Sequence, residues 1–177
     1  MPAALASQNE NGTITGANAY GSVEGFRSYW DARGVVFPTH SDDDIAIALI
    51  KATDYIDTRF QYIGWQLYRV QGTQWPRGGL NSTFHRGLPE ALIRATYLTA
   101  QRVLAGVKLM PDPSYQASGL KVTAKTVKAG PVETSYSYAE PVSSRPEASL
   151  PSFPDIQLML NSAGLLASSN GGRILRG

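Results

Sequence analysis

The chain has 177 residues, a formal net charge of +2 and no cysteine. This length predicts one domain with extended termini, and the lack of cysteine excludes a disulfide framework and thiolate chemistry. No apolar run approaches the roughly 18 residues of a membrane span, and no basic region precedes an apolar core at the N-terminus, so we expect a soluble intracellular protein without a transmembrane helix or signal peptide.

The charge is distributed unevenly along the chain. Residues 1–60 carry four Lys/Arg and eight Asp/Glu, whereas residues 61–128 carry nine Lys/Arg and two Asp/Glu. An acidic segment followed by a basic segment is compatible with nucleic-acid binding, and also with head-to-tail contacts between copies of the chain in a ring. A dipolar surface without a function is the third interpretation.

The first elements are predicted from composition and periodicity. Residues 1–18 are rich in Asn, Gly, Thr and Ala, which predicts a flexible arm. A helix is expected from the N-cap Ser22 to about Arg33, with an aromatic face. A second helix is expected after Ser41, which forms a capping box with Asp44 and precedes an apolar stripe at helical spacing.

Residues 61–88 form a long connector that contains the sequence QWPRGG, beginning at Gln74. Pro76 fixes its own φ and excludes Trp75 from the helical region. The side chain of Trp75 is therefore held on a rigid corner beside the cation of Arg77. Two interpretations are open: a tryptophan that fills the core beside a solvated arginine, or an anchor for a partner.

Downstream of the connector, the pattern predicts a helix from Pro89 to Ala105. Strict alternation then predicts a β-hairpin at about residues 120–138. The chain is completed by a Pro/Ser-rich linker (139–152), a C-terminal helix (153–166) and a flexible tail (167–177). The predicted fold class is mostly α: a small bundle of about four helices with a projecting β-hairpin and extended termini.

The sequence carries no motif of a common catalytic or metal site. His40 and His85 lack the spacing of metal ligands, and there is no phosphate-binding P-loop and no GxSxG nucleophile turn. The acidic residues at the start of the second helix are better explained by the helix dipole than by a metal ion. We therefore expect no enzymatic activity, no cofactor and no metal.

Several segments are distinctive when taken together: ANAYGSV (17–23), ALIKATDYID (48–57), QWPR (74–77), Leu88-Pro89 and KAGPV (128–132). In this order they resemble the tailed-phage head–tail connector proteins, also called adaptor or head-completion proteins. That group includes members labelled as DnaT-like single-stranded DNA-binding proteins. The resemblance covers roughly residues 17–160, and its most specific parts are ALIKATDYID and QWPR.

The resemblance implies that residues 19–138 are a connector domain that assembles with copies of itself into a dodecameric ring. The ring would lie between the portal protein and a stopper, terminator or tail protein, in the neck of a virion assembled in the host cytoplasm. Genome DNA would pass through it without sequence-specific binding, and no membrane would be involved. The candidate portal-binding residues are Arg173, Ile174, Leu175 and Arg176, and the candidate subunit-interface residues are Trp65, Tyr68, Trp75 and Arg77.

The alternative is a single-stranded DNA-binding accessory protein. Such a protein needs a basic groove with aromatic side chains on which bases stack, and the connector offers these groups in Arg69, Trp75, Arg77, Phe84 and Arg86. A steep loss of affinity with rising salt would distinguish this function from a structural ring. A third class, a toxin, antitoxin or other small interaction module, has no residue that argues for it.

Overall fold

The computed structural model describes residues 4–37, 39–80, 87–110, 122–128, 133–138 and 150–167. The helices are α1 (Val23–Asp31), α2 (Asp42–Arg59), α3 (Glu90–Leu104) and α4 (Pro154–Ser162), and the strands are β1 (Trp65–Gln66), β2 (Arg77–Gly78), β3 (Val122–Lys128) and β4 (Glu133–Tyr138). The predicted class, mostly α with four helices and a β-hairpin, is confirmed. None of the helices in the described part of the chain is long and apolar enough to cross a membrane.

The ends of the first two helices follow from their capping residues. Ser22 Oγ accepts a hydrogen bond from Gly25 N–H (3.1 Å) at the start of α1. At the start of α2, Ser41 Oγ accepts from Asp44 N–H (3.1 Å), and Asp44 Oδ2 accepts from Ser41 N–H (3.0 Å). The predicted capping box is therefore present, with aspartate in the place usually taken by glutamate or glutamine.

The helical core is built on α2. Its apolar stripe is buried as predicted, with exposures of 1% or less at Ile45, Ala48, Leu49, Ala52, Tyr55 and Ile56. Leu92 of α3 and Ile156 of α4 are likewise fully buried. α4 starts one residue later than predicted and ends at Ser162 instead of residue 166, with Phe153 at its N-cap. Burial of this apolar surface is the main stabilising contribution in a domain without disulfides.

An aromatic cluster packs α1 against α3. The ring of Phe26 lies 5.1 Å from that of Phe37 and 6.0 Å from that of Tyr97, measured between centroids. The approach is close because Gly21 and Gly25 face Tyr97, and a Cβ atom at either glycine would overlap its ring or hydroxyl. These contacts fix α1 on the core.

Residues 4–20 are packed against the domain, which differs from the flexible arm predicted for residues 1–18. Asn18 N–H donates to Ala6 O (2.8 Å), while Asn18 Oδ1 accepts from Ala6 N–H (2.8 Å). Ala17 is 3% exposed, and its carbonyl lies so close to Gly72 that a Cβ atom there would overlap it. The N-terminal segment is therefore part of the fold and contacts the connector after α2.

The β3–β4 hairpin is a compact unit separate from the helical unit. Its antiparallel register pairs Lys125 with Tyr136 and Lys128 with Glu133, and it is irregular between Val122 and Ala124. This ladder is the β-hairpin of the predicted fold class, and its strands lie within the predicted range of about residues 120–138. The turn residues 129–132 lie outside the described residues, as do most of the predicted linker (139–149) and of the predicted tail (168–177).

Candidate functional site

The connector between α2 and α3 is ordered by buried polar side chains. Gln71 Nε2 donates to the carbonyls of Thr73 (2.8 Å) and Pro76 (3.0 Å), and Gln71 Oε1 accepts from Tyr68 N–H (3.2 Å). The Thr73 hydroxyl donates to Trp75 O (2.8 Å), and the Trp75–Pro76 peptide bond is cis. Because a buried polar group without a partner is costly, this bonded network favours one conformation of the loop.

Trp75 lies inside this loop and is 0% exposed. Its indole packs edge-on against Tyr62, with ring centroids 5.8 Å apart and an interplanar angle of 86°. Trp75 N–H donates to Tyr20 Oη (3.1 Å), and Tyr20 Oη donates to Asp57 Oδ1 (2.5 Å). Asp57 Oδ2 in turn accepts from Gln74 N–H (2.9 Å). A chain of hydrogen bonds therefore joins the N-terminal segment, α2 and the connector.

Arg77 clamps the two ends of the loop together. Its Nε donates to Ile63 O (2.7 Å), and its Nη2 donates to Gly64 O (2.8 Å). Its Nη1 donates both to Gln74 O (3.2 Å) and to Gln74 Oε1 (2.8 Å). One Nη2 hydrogen is left without a partner among the described residues, because a guanidinium carries five N–H donors. Arg77 therefore has mainly an internal, structural role.

Four large apolar side chains within residues 65–70 of this loop are exposed to solvent. Trp65 is 64% exposed, Leu67 44%, Tyr68 49% and Val70 66%. We refer to Trp65, Leu67, Tyr68 and Val70 as the aromatic ridge. Four large exposed apolar residues within six consecutive positions favour an interaction surface, because exposed apolar residues on other surfaces are usually scattered singly.

Trp65 is supported from below by glycine. In the β1–β2 pair Trp65 lies opposite Gly78, and a Cβ atom at Gly79 would overlap the Trp65 indole. Gly79 has φ +72°, a conformation that other residues rarely adopt. One part of the ring therefore lies against a bare backbone, while 64% of the residue remains exposed to solvent. This arrangement presents a flat, fixed aromatic surface.

The segment that carries the ridge has a positive charge. Residues 61–80 include Arg69 and Arg77 and contain no aspartate or glutamate. Arg69 lies within the ridge segment, is exposed, and makes no hydrogen bond or ion pair to any described residue. Since Arg77 is bonded to carbonyls, Arg69 is the cation of this loop that is free to meet an anionic ligand.

A cleft of about 410 Å³ opens beside the same loop. It is lined by Asp57, Thr58, Phe60, Gln61, Tyr62, Gln74, Arg77 and Ala167. The cleft and the ridge are neighbours, because Arg77 lies in the cleft wall and donates to the carbonyl of Gly64, the residue that precedes Trp65.

Burial raises the pKa of the Asp57 carboxyl to about 6. The hydrogen bonds from Tyr20 and Gln74 and the charge of Arg77 oppose this shift, while the nearby carboxylate of Asp54 adds to it. Desolvation is the largest cause because it penalises the charged form of an acid. Near neutral pH the carboxylate is mostly ionised and can accept hydrogen bonds.

This shift predicts a pH dependence of stability. Because folding raises the pKa of Asp57, the folded state binds its proton more tightly, and the contribution of Asp57 to the free energy of unfolding falls as pH rises from about 4 to 6. A shift of about two units corresponds to at most roughly 3 kcal/mol. We expect the stability difference between the wild type and Asp57→Asn to change in this sense when chemical unfolding is followed across that range. A difference that stays constant with pH would contradict the assigned shift.

The structure separates the residues that the sequence predicted as interface anchors. Trp65 and Tyr68 are exposed, whereas Trp75 is fully buried and Arg77 points into the loop, so these last two supply the domain's own packing. The candidate portal-binding residues Arg173, Ile174, Leu175 and Arg176 lie outside the described residues, as do Phe84 and Arg86. Asp57 had not been singled out, because a lone carboxylate near the end of a helix resembles an ordinary surface residue.

Within the described ranges, no group of three or more His, Cys, Asp or Glu side chains could hold a metal ion. The fold and the site thus define a small, mostly helical protein that exposes an aromatic and cationic surface beside a polar cleft. A family model described as "Putative DnaT-like ssDNA binding protein" matches residues 8–177, and the chain belongs to this family. No curated protein and no solved structure matches the chain.

This match corrects the assignment made from resemblance. The matching family is a DnaT-like single-stranded DNA-binding family and not a head–tail connector family, so the predicted connector ring is wrong. The predicted virion structural role and the predicted portal, stopper and tail partners depended on that ring and are therefore wrong as well. The error has a physical reason. Most of ALIKATDYID and the tryptophan of QWPR are buried in the core, so these motifs reflect the packing of the domain and do not indicate its function. The predicted cellular location stays a prediction.

Proposed function

We propose that this protein is a non-enzymatic binder of single-stranded DNA and that the strand contacts the aromatic ridge. The observation that carries the proposal is the exposure of Trp65 and Tyr68 on a rigid loop that also presents Arg69 and has no carboxylate within residues 61–80. The description of the family supports the same ligand. It was the alternative that the sequence offered.

The chemistry of the ridge suits an unpaired strand. Every base has a flat π-face, so stacking on Trp65 and Tyr68 tolerates any sequence and contributes about 1–3 kcal/mol per base. The guanidinium of Arg69, which is exposed in the same segment, supplies a positive charge that can neutralise a phosphate. Leu67 and Val70, exposed in the same segment, add apolar surface that a base can cover.

The same chemistry disfavours duplex DNA. In a duplex the faces of the bases are covered by their neighbours in the stack, so the indole of Trp65 has no free face to meet. A duplex can therefore bind only through electrostatic attraction between its phosphates and the cations of the loop. Single strands should therefore bind more tightly than duplexes of the same length.

The test is fluorescence anisotropy with a labelled oligothymidylate of about 20 nucleotides, longer than the site of a typical single-strand-binding domain, and with a duplex of equal length. We expect tighter binding of the single strand and a linear fall of log affinity with log salt of about 0.7 per phosphate contact. Arg69→Ala should reduce this slope by about one contact. Lys51→Ala, which removes an exposed cation from α2, should leave it unchanged. No binding of the single strand at low salt, or equal binding of the duplex, would overturn the proposal.

A further inference from the structure

The cleft beside the ridge contains polar atoms that the fold leaves unused. Each oxygen of Asp57 accepts one hydrogen bond, from Tyr20 or from Gln74, and a carboxylate oxygen can accept a second. The Gln74 side-chain oxygen accepts from Arg77, so its NH₂ group is fixed as a donor and has no partner among the described residues. Arg77 retains one Nη2 hydrogen. The cleft therefore combines two adjacent acceptors with nearby donors.

The volume and the lining of the cleft suit a nucleobase. Its volume of about 410 Å³ falls in the range of small-ligand sites. Phe60 and Tyr62 line it with aromatic surface, while Asp57, Gln74 and Arg77 supply the polar atoms. A base that leaves the stack next to the ridge could therefore enter the cleft and present its Watson–Crick edge to these groups.

We propose that this cleft binds a guanine base of the single strand held on the aromatic ridge. The inference rests on the proposed function and adds a base preference to it. Guanine presents two adjacent donors, N1–H and the N2 amino group, which match the two oxygens of Asp57. Its O6 is an acceptor that matches the free hydrogens of Gln74 or Arg77. The other DNA bases present a single donor group on this edge, so each leaves one oxygen of Asp57 without a new partner.

The first test needs only the wild-type protein. Three labelled oligonucleotides share a thymidine background and carry guanine, inosine or adenine at about every fifth position, close enough for any site of about 4–16 nucleotides to meet one. We expect guanine to bind at least about fivefold more tightly than adenine, the lower end of the discrimination given by a bidentate contact. Inosine lacks the N2 amino group and should lie between them.

The outcomes separate this inference from the proposed function. Equal affinity for the three oligonucleotides, with clear binding of oligothymidylate, would overturn the guanine cleft and leave single-strand binding intact. Failure of every single strand to bind would overturn both. A preference for guanine that inosine reproduces in full would also contradict the cleft, because the second donor would then make no contact.

A variant pair links the preference to Asp57. Asp57→Asn should remove the preference for guanine, measured as the ratio of the guanine and adenine affinities of the same variant, so that any change in the loop that affects both oligonucleotides cancels. Asp54→Asn is the matched control, since it removes the same charge from an exposed position on the same helix. Circular dichroism verifies that both variants are folded. A preference that survives in a folded Asp57→Asn would overturn the assignment.

Acidic pH provides a second route that needs no variant. About one unit below the pKa of about 6, the Asp57 carboxyl is protonated and one acceptor becomes a donor. The titratable and charged groups around it are Tyr20, Tyr62, Asp54 and Arg77, of which the tyrosines and the arginine keep their charge state over this range. The guanine preference should therefore fall while oligothymidylate binding remains. An unchanged preference would contradict the role of Asp57.

Discussion

Replacing Trp75 with alanine is expected to lower the free energy of unfolding by about 3–5 kcal/mol, the usual cost of truncating a large buried aromatic residue. Trp75 is 0% exposed and packs against Tyr62, so its truncation leaves a cavity in the packed interior. A domain of this size has roughly 5–15 kcal/mol of stability in total, so about a fifth or more of it would be lost. Urea unfolding followed by circular dichroism measures the change.

Two further variants make this result specific. Trp65→Ala removes an equally large side chain from an exposed position and should change the free energy of unfolding by less than about 1 kcal/mol. Trp75→Phe should cost less than Trp75→Ala, because the buried Trp75 Nε1 has no hydrogen-bond partner among the described residues, so its removal breaks no bond to them. Equal stability of Trp75→Ala and the wild type would show that the packing described for this loop is wrong.

Replacing Trp65 with alanine is expected to weaken the binding of single-stranded DNA by about 5- to 150-fold, which corresponds to the loss of about 1–3 kcal/mol of stacking. The physical reason is that Trp65 presents a fixed ring on the backbone of Gly78 and Gly79. The Trp65 side chain is preorganised in the free protein, so little conformational entropy is lost when DNA binds. Anisotropy titration of oligothymidylate at fixed salt measures the change.

Control variants distinguish stacking from a general loss of apolar surface. Leu158 of α4 is 67% exposed, and Leu158→Ala should leave DNA affinity unchanged. Trp65→Phe keeps an aromatic face and should recover much of the affinity that Trp65→Ala loses. Full affinity in Trp65→Ala, or an equal loss in Leu158→Ala, would exclude the ridge as the DNA-binding surface.

The helices were predictable because their signals are local. The capping box at Ser41 and the apolar periodicity of α2 are both visible in the sequence, and the structure reproduces them. The strands β1 and β2 were not predicted, since each has two residues and therefore no alternation. The ordered conformation of residues 4–20 is not predictable from composition. It depends on hydrogen bonds between side chains and the backbone, such as those of Asn18.

The site was predictable only in part. Trp65 and Trp75 lie ten positions apart in one connector, and no local feature distinguishes the buried tryptophan from the exposed one. Their difference arises from long-range contacts: Tyr20 bonds the backbone of Trp75, while Gly79 supports the ring of Trp65. Asp57 gains its raised pKa in the same way, through burial by segments distant in sequence.

The most direct measurement is photocrosslinking of the wild-type protein to an oligonucleotide that carries 5-iododeoxyuridine, followed by peptide mass spectrometry. This base forms adducts preferentially with aromatic side chains that stack on it, so the method reports contact at the level of single residues. Binding on the aromatic ridge predicts adducts at Trp65 or Tyr68, competed away by unlabelled oligothymidylate. Adducts that map only to other segments, or none while the strand is bound, would contradict the ridge as the single-stranded DNA-binding surface.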